Sequence, residues 1–383
     1  MRVLHVITGL AAGGAEHQLR LLLRRLPHDC EVVTLSNPGT IATAIRADGT
    51  KVHELTMTSN HDLSAVRELR RLMRSGRFDL VHTHLYRACV HGRVAARLAG
   101  VPRVVATEHS LGDGVIEGRR ATAGVRALYL ASERLGQATI AVSEAVAGRL
   151  RAWGVPAARI RVIPNGIDAT EFRFDPALRA AARARLGIAA DALVIGGVGR
   201  LAREKRFDRL IRAVAEIPAV TLLLAGDGAA RAELQAVAEQ QGVAGRVVFA
   251  GAVDHPRELL CAMDVFASPS DQETFGLAVL EAMACGLPVV YAACPPLEEA
   301  PVPVGRGAHR LTRYRESLPR TLRAELASLS ERAGARLPVP AVVGHYDIAR
   351  LATSVGQLYH QVAGTPRRRP AATRPVESKG TRW

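Results

Sequence analysis

The chain has 383 residues, enough for two domains of ordinary size, and its 48% hydrophobic content supplies substantial cores. The net charge of +15 comes from 51 basic against 36 acidic residues, and all the basic ones except Lys51, Lys205 and Lys379 are arginine. With aromatics at 4% and no nucleic-acid motif, this argues against nucleic acid and leaves an anionic surface or a phosphorylated substrate as partner. Cys30, Cys89, Cys261, Cys285 and Cys294 fit no metal-ligand spacing, and their odd number argues against a disulfide framework. The apolar start, Met1 to Ile7, is too short for a signal peptide, and no stretch is long enough to span a bilayer.

The first half alternates short apolar runs with amphipathic segments. Strands are expected at Val3–Ile7, Glu31–Leu35, Leu80–Thr83, Arg103–Thr107, Thr139–Val142 and Arg161–Ile163, with helices over 15–26, 61–75, 87–99 and 143–152. This interleaving predicts a parallel sheet in a doubly wound domain. Gly9-Leu-Ala-Ala-Gly13-Gly14-Ala-Glu16 follows the first strand and opens a helix, where glycines let the backbone approach a phosphate. It is not the Gly-x-Gly-x-x-Gly fingerprint, and no acidic residue ends the second strand, which disfavours a dinucleotide. Arg67, Arg70, Arg71, Arg74 and Arg77 alternate with Leu63, Val66, Leu69, Leu72 and Met73: a solvated basic face, or one that meets anionic lipid. His82 and His84 share one face of a strand, but with no third ligand at matching spacing they read as structural histidines. Thr107-Glu108-His109-Ser110 ends a strand and is expected to leave His109 exposed, able to donate to or orient a hydroxyl. Ser143 reads as a helix N-cap.

The pattern breaks around Asn165–Phe174, giving a linker near 165–190. A second series follows: Leu193–Val198, Thr221–Ala225, Arg246–Phe249, Asp264–Ala267 and Pro288–Tyr291. Two Rossmann-like halves facing each other place a ligand in the cleft between the carboxyl ends of their strands. Val198-Gly199-Arg200-Leu201 with Glu204-Lys205 follows the first of these strands. Arg200 is a fork donor and Lys205 a point charge, a pair suited to a diphosphate. Leu224-Ala-Gly226-Asp227-Gly228 and Phe249-Ala-Gly251 read as turns.

The most informative stretch runs from Asp264 through Ser268-Pro-Ser and Glu273-Thr-Phe-Gly276 to Glu281 and Pro288: a strand, a polar loop, a helix and a second strand. Thr274, Phe275 and Gly276 occupy the helix N-terminus, where free N–H groups and the helix dipole favour a phosphate. Glu273 precedes the helix and Glu281 lies inside it. Carboxylates bracketing an anion site suit a nucleotide sugar.

Together with Phe275-Gly276 and the Asp264…Ser268-Pro-Ser lead-in, Glu273 and Glu281 resemble the Glu-x7-Glu signature of retaining glycosyltransferases of family 4, which have the GT-B fold. The resemblance covers 1–290 well and 291–345 poorly, because Cys294-Pro-Pro-Leu-Glu298-Glu299 replaces the Gly-Gly and Pro-Glu of most members. It implies an α/β fold of two Rossmann-like domains and retaining transfer of a hexose from a UDP- or GDP-sugar to a hydroxyl acceptor. Cell-surface polysaccharide, glycolipid or glycoconjugate synthesis is the implied setting, in the cytoplasm or at the inner face of the membrane. By the same resemblance Gly13 and Gly14 lie against the donor, Arg200 and Lys205 meet its diphosphate, Glu273 holds sugar hydroxyls, Glu281 holds the ribose and His109 serves the sugar or acceptor side. No cofactor and no metal are implied; no Asp-x-Asp motif sits at a strand end. Val162-Ile-Pro164-Asn165-Gly166-Ile-Asp168 resembles the family's inter-domain hinge.

The expected division is 1–168 for the acceptor-side domain, 169–345 for the nucleotide-sugar domain, 346–363 for a helix crossing back, and 364–383 for a disordered basic tail. Two alternatives use the same donor: a sugar-nucleotide epimerase of the GT-B fold, and a non-catalytic nucleotide-sugar-binding or membrane-associated protein.

Overall fold

The computed structural model describes residues 1–59, 62–117, 119–311, 314–332 and 334–364, so the basic tail beyond Gly364 lies outside the described residues. In chain order the strands are β1 (Arg2–Ile7), β2 (Asp29–Thr34), β3 (Lys51–Glu54), β4 (Leu80–His84), β5 (Val104–Glu108), β6 (Val115–Ile116), β7 (Arg119–Arg120), β8 (Ala138–Ala141) and β9 (Ile160–Val162). The second half continues with β10 (Leu193–Val198), β11 (Val220–Ala225), β12 (Val247–Gly251), β13 (Val265–Ser268), β14 (Val289–Tyr291) and β15 (Ala308–Arg310).

Two large sheets form, each parallel throughout. Their orders are β3-β2-β1-β4-β5-β8-β9 and β12-β11-β10-β13-β14-β15. Helices cover both faces, which is why the central strands are near-continuous apolar runs; β4 is buried at every position. The edges are another matter. β3, absent from the expected strands, is four residues that begin and end on exposed charges, Lys51 and Glu54. Short, charged strands of this kind protect a sheet edge and carry little hydrophobic signal. The short hairpin of β6 and β7 and the edge strand β15 were likewise not anticipated.

In each sheet the strand order reverses beside the first strand, between β1 and β4 and between β10 and β13. Ligands of open α/β sheets bind at such reversals, beyond the carboxyl ends. The chain crosses between the sheets twice, and the crossings touch: Ile167 N–H donates to Tyr346 O (2.8 Å) and Ile348 N–H donates to Ile167 O (3.0 Å). A Cβ on Gly166 would stand 2.7 Å from Ile348 Cα, so only glycine permits this approach. The buried Gln18 amide clamps the same glycine, donating to Gly166 O (2.6 Å) and accepting from Gly166 N–H (2.7 Å). The helix Ile348–Gly364 then packs Leu351, Val355 and Leu358 into one cluster with Val3, Leu22 and Leu80 of the first domain.

Candidate active site

The two basic residues expected to meet a diphosphate come from the loop after β10. Gly199 leaves the strand at φ +154, and Arg200 projects outward, its side chain 61% exposed and paired with the exposed Glu204 (Nη2 to Oε1, 2.9 Å). The turn after β11 braces this loop. A Cβ on Gly226 would lie 2.0 Å from Gly199 O, and one on Gly228 2.4 Å from Leu201 O. These glycines allow two backbones to touch; the Asp227 side chain stays at the surface and accepts from Gly228 N–H.

Lys205 closes the same loop, and its Nζ donates to Glu273 Oε1 at 2.6 Å, with both side chains largely shielded. The resemblance gave these residues separate jobs; the fold brings them into direct contact. Gly276 caps the helix Leu277–Ala284 with φ +105, and this helix carries Glu281. Burial pushes the half-buried Glu281 carboxyl up to about 7. Two residues of the motif turn away from the cleft. The Phe275 ring is buried and packs edge-on against Tyr346 (5.4 Å), so only its backbone is left for a donor. Asp264 is a core anchor, accepting from Arg179 (2.7 Å), Arg183 (2.9 Å) and Val194 N–H (2.8 Å).

The first domain meets this loop directly. Gly13 caps the helix Gly14–Leu23, and a Cβ on Gly14 would lie 3.6 Å from Leu277 Cδ1. Gln272 exchanges hydrogen bonds with Asp113, donating to its carboxylate (3.1 Å) and accepting from its N–H (3.3 Å). Ser143 is more than a cap: its hydroxyl accepts from Val146 N–H and donates to Thr274 O at 2.7 Å. Glu299 spans the domains as well, accepting from the N–H groups of Glu144 (2.9 Å) and Ala145 (3.1 Å). The divergent segment after β14 thus caps the helix Glu144–Trp153 of the opposite domain.

His109 differs from the sequence expectation. It is half-buried rather than exposed, its Nε2 lies 3.2 Å from His84 Nδ1, and burial draws its pKa down to about 4. His84 Nε2 lies 3.1 Å from His5 Nδ1. The missing third imidazole beside His82 and His84 is therefore His5, in register with His82 across β1 and β4. Spacing along the chain hid it, because strand pairing supplied it. Both nitrogens of His82 are engaged, by Tyr359 Oη (2.6 Å) and Thr107 Oγ1 (2.7 Å), so the group is a hydrogen-bonded network as it stands.

Two carboxyls escaped sequence reasoning. Burial, and behind it the charge of Glu117, pushes Glu16 up to about 7 against the pull of Arg200. Glu16 belongs to the Gly-Gly-Ala-Glu run, so its position was legible there and its role was not. Glu108 is fully buried and pushed up to about 7 by desolvation, with Oε2 unpartnered among the described residues. It reads as one more strand residue.

Comparison with known proteins bears on the family and the fold. The signature of Glycosyltransferase Family 4 matches residues 12–171, and that of Glycosyl transferases group 1 matches residues 192–311. The Bacillus subtilis (strain 168) protein EpsF, whose name assigns it a glycosyltransferase activity provisionally, is 28% identical over 87% of this chain and 88% of its own. The D-inositol 3-phosphate glycosyltransferase of Mycobacterium tuberculosis (strain ATCC 25177 / H37Ra) is 34% identical, over 57% of this chain; the match spans 48% of that protein, about half its length. Among solved structures, Anabaena Alr3699/HepE in complex with UDP and glucose superposes with a TM-score of 0.81 at 24% identity, covering 94% of this chain and all of that one (100%). WaaG, a glycosyltransferase involved in lipopolysaccharide biosynthesis, gives 0.68 at 20% identity over 93% of this chain and 99% of its own. These structural likenesses establish the fold.

Proposed function

The chain is a glycosyltransferase of the family 4 type with the GT-B fold, and on that footing we propose that it moves a hexose from a UDP- or GDP-sugar to a hydroxyl acceptor with retention and without a metal. One observation carries the reading. At the facing reversals of the two sheets, Lys205 pairs with Glu273 beside the Gly13–Gly14 turn and the helix of Glu281, and Arg200 stands on the same loop as Lys205.

Arg200, Lys205 and the N–H groups ahead of Leu277 stabilise the diphosphate as its charge grows, the task a metal would otherwise perform. Glu273 accepts from sugar hydroxyls, Glu281 from the ribose, and His109 serves the sugar or acceptor side. The UDP-glucose complex of HepE supports a nucleotide sugar as the donor class.

The acceptor belongs to a glycan, a lipid-linked sugar or a small molecule. A place at the inner membrane face fits the helix Leu63–Gly76, on which Arg67, Arg70, Arg71 and Arg74 are exposed along with Leu63 (69%) and the adjoining Arg77. Among the described residues no helix is long and apolar enough to cross a membrane.

The test is product analysis. The protein is first screened for thermal stabilisation by UDP- and GDP-sugars. The best donor is then supplied with and without hydroxyl acceptors, and the anomeric configuration of the product is read by NMR. A glycoside with the donor's configuration supports the proposal. Epimerised nucleotide sugar from donor alone favours the epimerase reading, and binding without any product favours a non-catalytic protein.

A further inference from the structure

Cys261 and Cys285 stand 24 positions apart in the chain and meet in the core of the second domain, with their sulfurs 3.8 Å apart. Both are free thiols and both are buried. Cys89 and Cys294 are also buried, but their sulfurs are engaged by Thr83 and by Phe275 O. Cys261 lies at the end of the helix Arg257–Ala262, and Cys285 caps the helix Leu277–Ala284. The backbone leaves the helical region directly after each, at Met263 (ψ 162) and at Gly286 (φ +72), so neither sulfur is carried by the rigid middle of a helix. A disulfide needs the two sulfurs to close to about 2 Å.

Positive charge gathers at Cys261. Arg336 Nη2 donates to Cys261 O at 2.7 Å, Arg179 Nη1 donates to the same oxygen at 3.1 Å, and Arg257 stands one turn earlier on the same helix. Guanidinium groups favour a thiolate beside them. The Cys261 thiol is drawn below its usual range, first by its hydrogen bond with Cys285 and then, against burial, by Asp175 N–H and the charges of Arg336 and Arg257. Cys285 is pushed up by the same contact and keeps its proton. The pair thus consists of one sulfur suited to attack and one suited to resolve.

We propose that Cys261 and Cys285 are a modification site, at which hydrogen peroxide converts the two thiols to a disulfide. The Cys261 thiolate attacks a peroxide oxygen and the O–O bond breaks. Hydroxide leaves and takes up the proton that Cys261 gave, so that water and a sulfenic acid result. The Cys285 sulfur then attacks the Cys261 sulfur, the S–O bond breaks, and the departing hydroxide takes the Cys285 proton. The two thiols lose two electrons, and one peroxide becomes two waters. Burial of both sulfurs selects a small oxidant and shuts out a bulky one such as oxidised glutathione. The bond staples the two ends of the segment that contains Glu273 and Glu281.

The experiment is peptide mapping by mass spectrometry of the full protein after exposure to hydrogen peroxide or to oxidised glutathione, with remaining thiols blocked on denaturation. Peroxide should give a Cys261–Cys285 link that dithiothreitol reverses, and oxidised glutathione should not. In Cys285→Ser, Cys261 should instead gain oxygen, and in Cys261→Ser, Cys285 should stay reduced. The linked protein should melt about 5 °C or more above the reduced one, because the cross-link constrains the unfolded chain. No link in the parent protein, or a parent Cys261 that passes to sulfinic acid without linking, overturns the proposal whether or not either variant folds. A link that leaves the melting temperature equal or lower overturns the staple.

Discussion

Lys205 donates to Glu273 at 2.6 Å between neighbouring loops of the second domain, which ties the cation proposed for the diphosphate to the carboxylate proposed for the sugar. A donor must then satisfy both groups at once, with its diphosphate near Lys205 and its sugar hydroxyls on Glu273. Glu273→Gln keeps the size and removes the charge, so Lys205 loses a competitor for phosphate. Transfer should slow by roughly 10²–10³, as for other lost transition-state contacts. Nucleoside diphosphate affinity, read by calorimetry, should hold or rise. A clear loss of that affinity would place Glu273 on the wrong ligand.

Arg200→Ala tests the other side. The exposed Arg200–Glu204 pair contributes under about 1 kcal/mol to stability, so the melting temperature should barely move. Affinity for the free nucleoside diphosphate should fall roughly 10- to 100-fold, the weight of one charge-assisted hydrogen bond. A large drop in melting temperature with affinity intact would make Arg200 structural.

Excess EDTA should leave turnover within about twofold if, as proposed, protein cations and N–H groups take the leaving-group charge. Loss of activity that a divalent ion restores would refute metal-independent transfer.

Buried titratable groups predict the pH profile of stability. His5 (about 3) and His109 (about 4) lie below their ordinary 6.5, as do His82 and His84, all through burial. The unfolded chain therefore binds more protons, and stability rises with pH up to about 6.5. Glu16, Glu108 and Glu281, raised from 4.5 to about 7, act oppositely: their contribution is present below 4.5 and lost as pH climbs through 7. Melting temperature should fall steeply below pH 4.5, flatten where the two sets oppose, and decline gently toward 7. Glu108→Gln, which stays neutral, should soften that last decline; an unchanged slope would remove Glu108 from the account.

Reversing Arg70, Arg71 and Arg74 to glutamate tests the membrane face. Each arginine near an anionic surface contributes about 1 kcal/mol, so sedimentation with anionic vesicles should weaken by at least about 100-fold. Transfer to a water-soluble acceptor should be unaffected. If the parent protein ignores such vesicles, the face is a solvated one.

The central strands and the Glu273-to-Glu281 motif were legible because buried parallel strands and glycine turns leave local marks. What was not legible depends on neighbours distant in the chain. His5 joins His82 only through strand register, Glu299 reaches Glu144 only across the cleft, and Lys205 finds Glu273 only after both loops are placed. Phe275 was read as part of the donor site because it lies within the motif, yet its ring serves the core, a distinction that periodicity alone does not carry.

The Gln18 clamp on Gly166 ties the crossing between the two domains to the helix that begins at Gly14. Gln18 stands one helical turn beyond Gly14 and holds Gly166 beside the seam of Ile167 and Ile348. The crossing between the domains and the Gly13–Gly14 turn therefore share one rigid connection, the helix Gly14–Leu23.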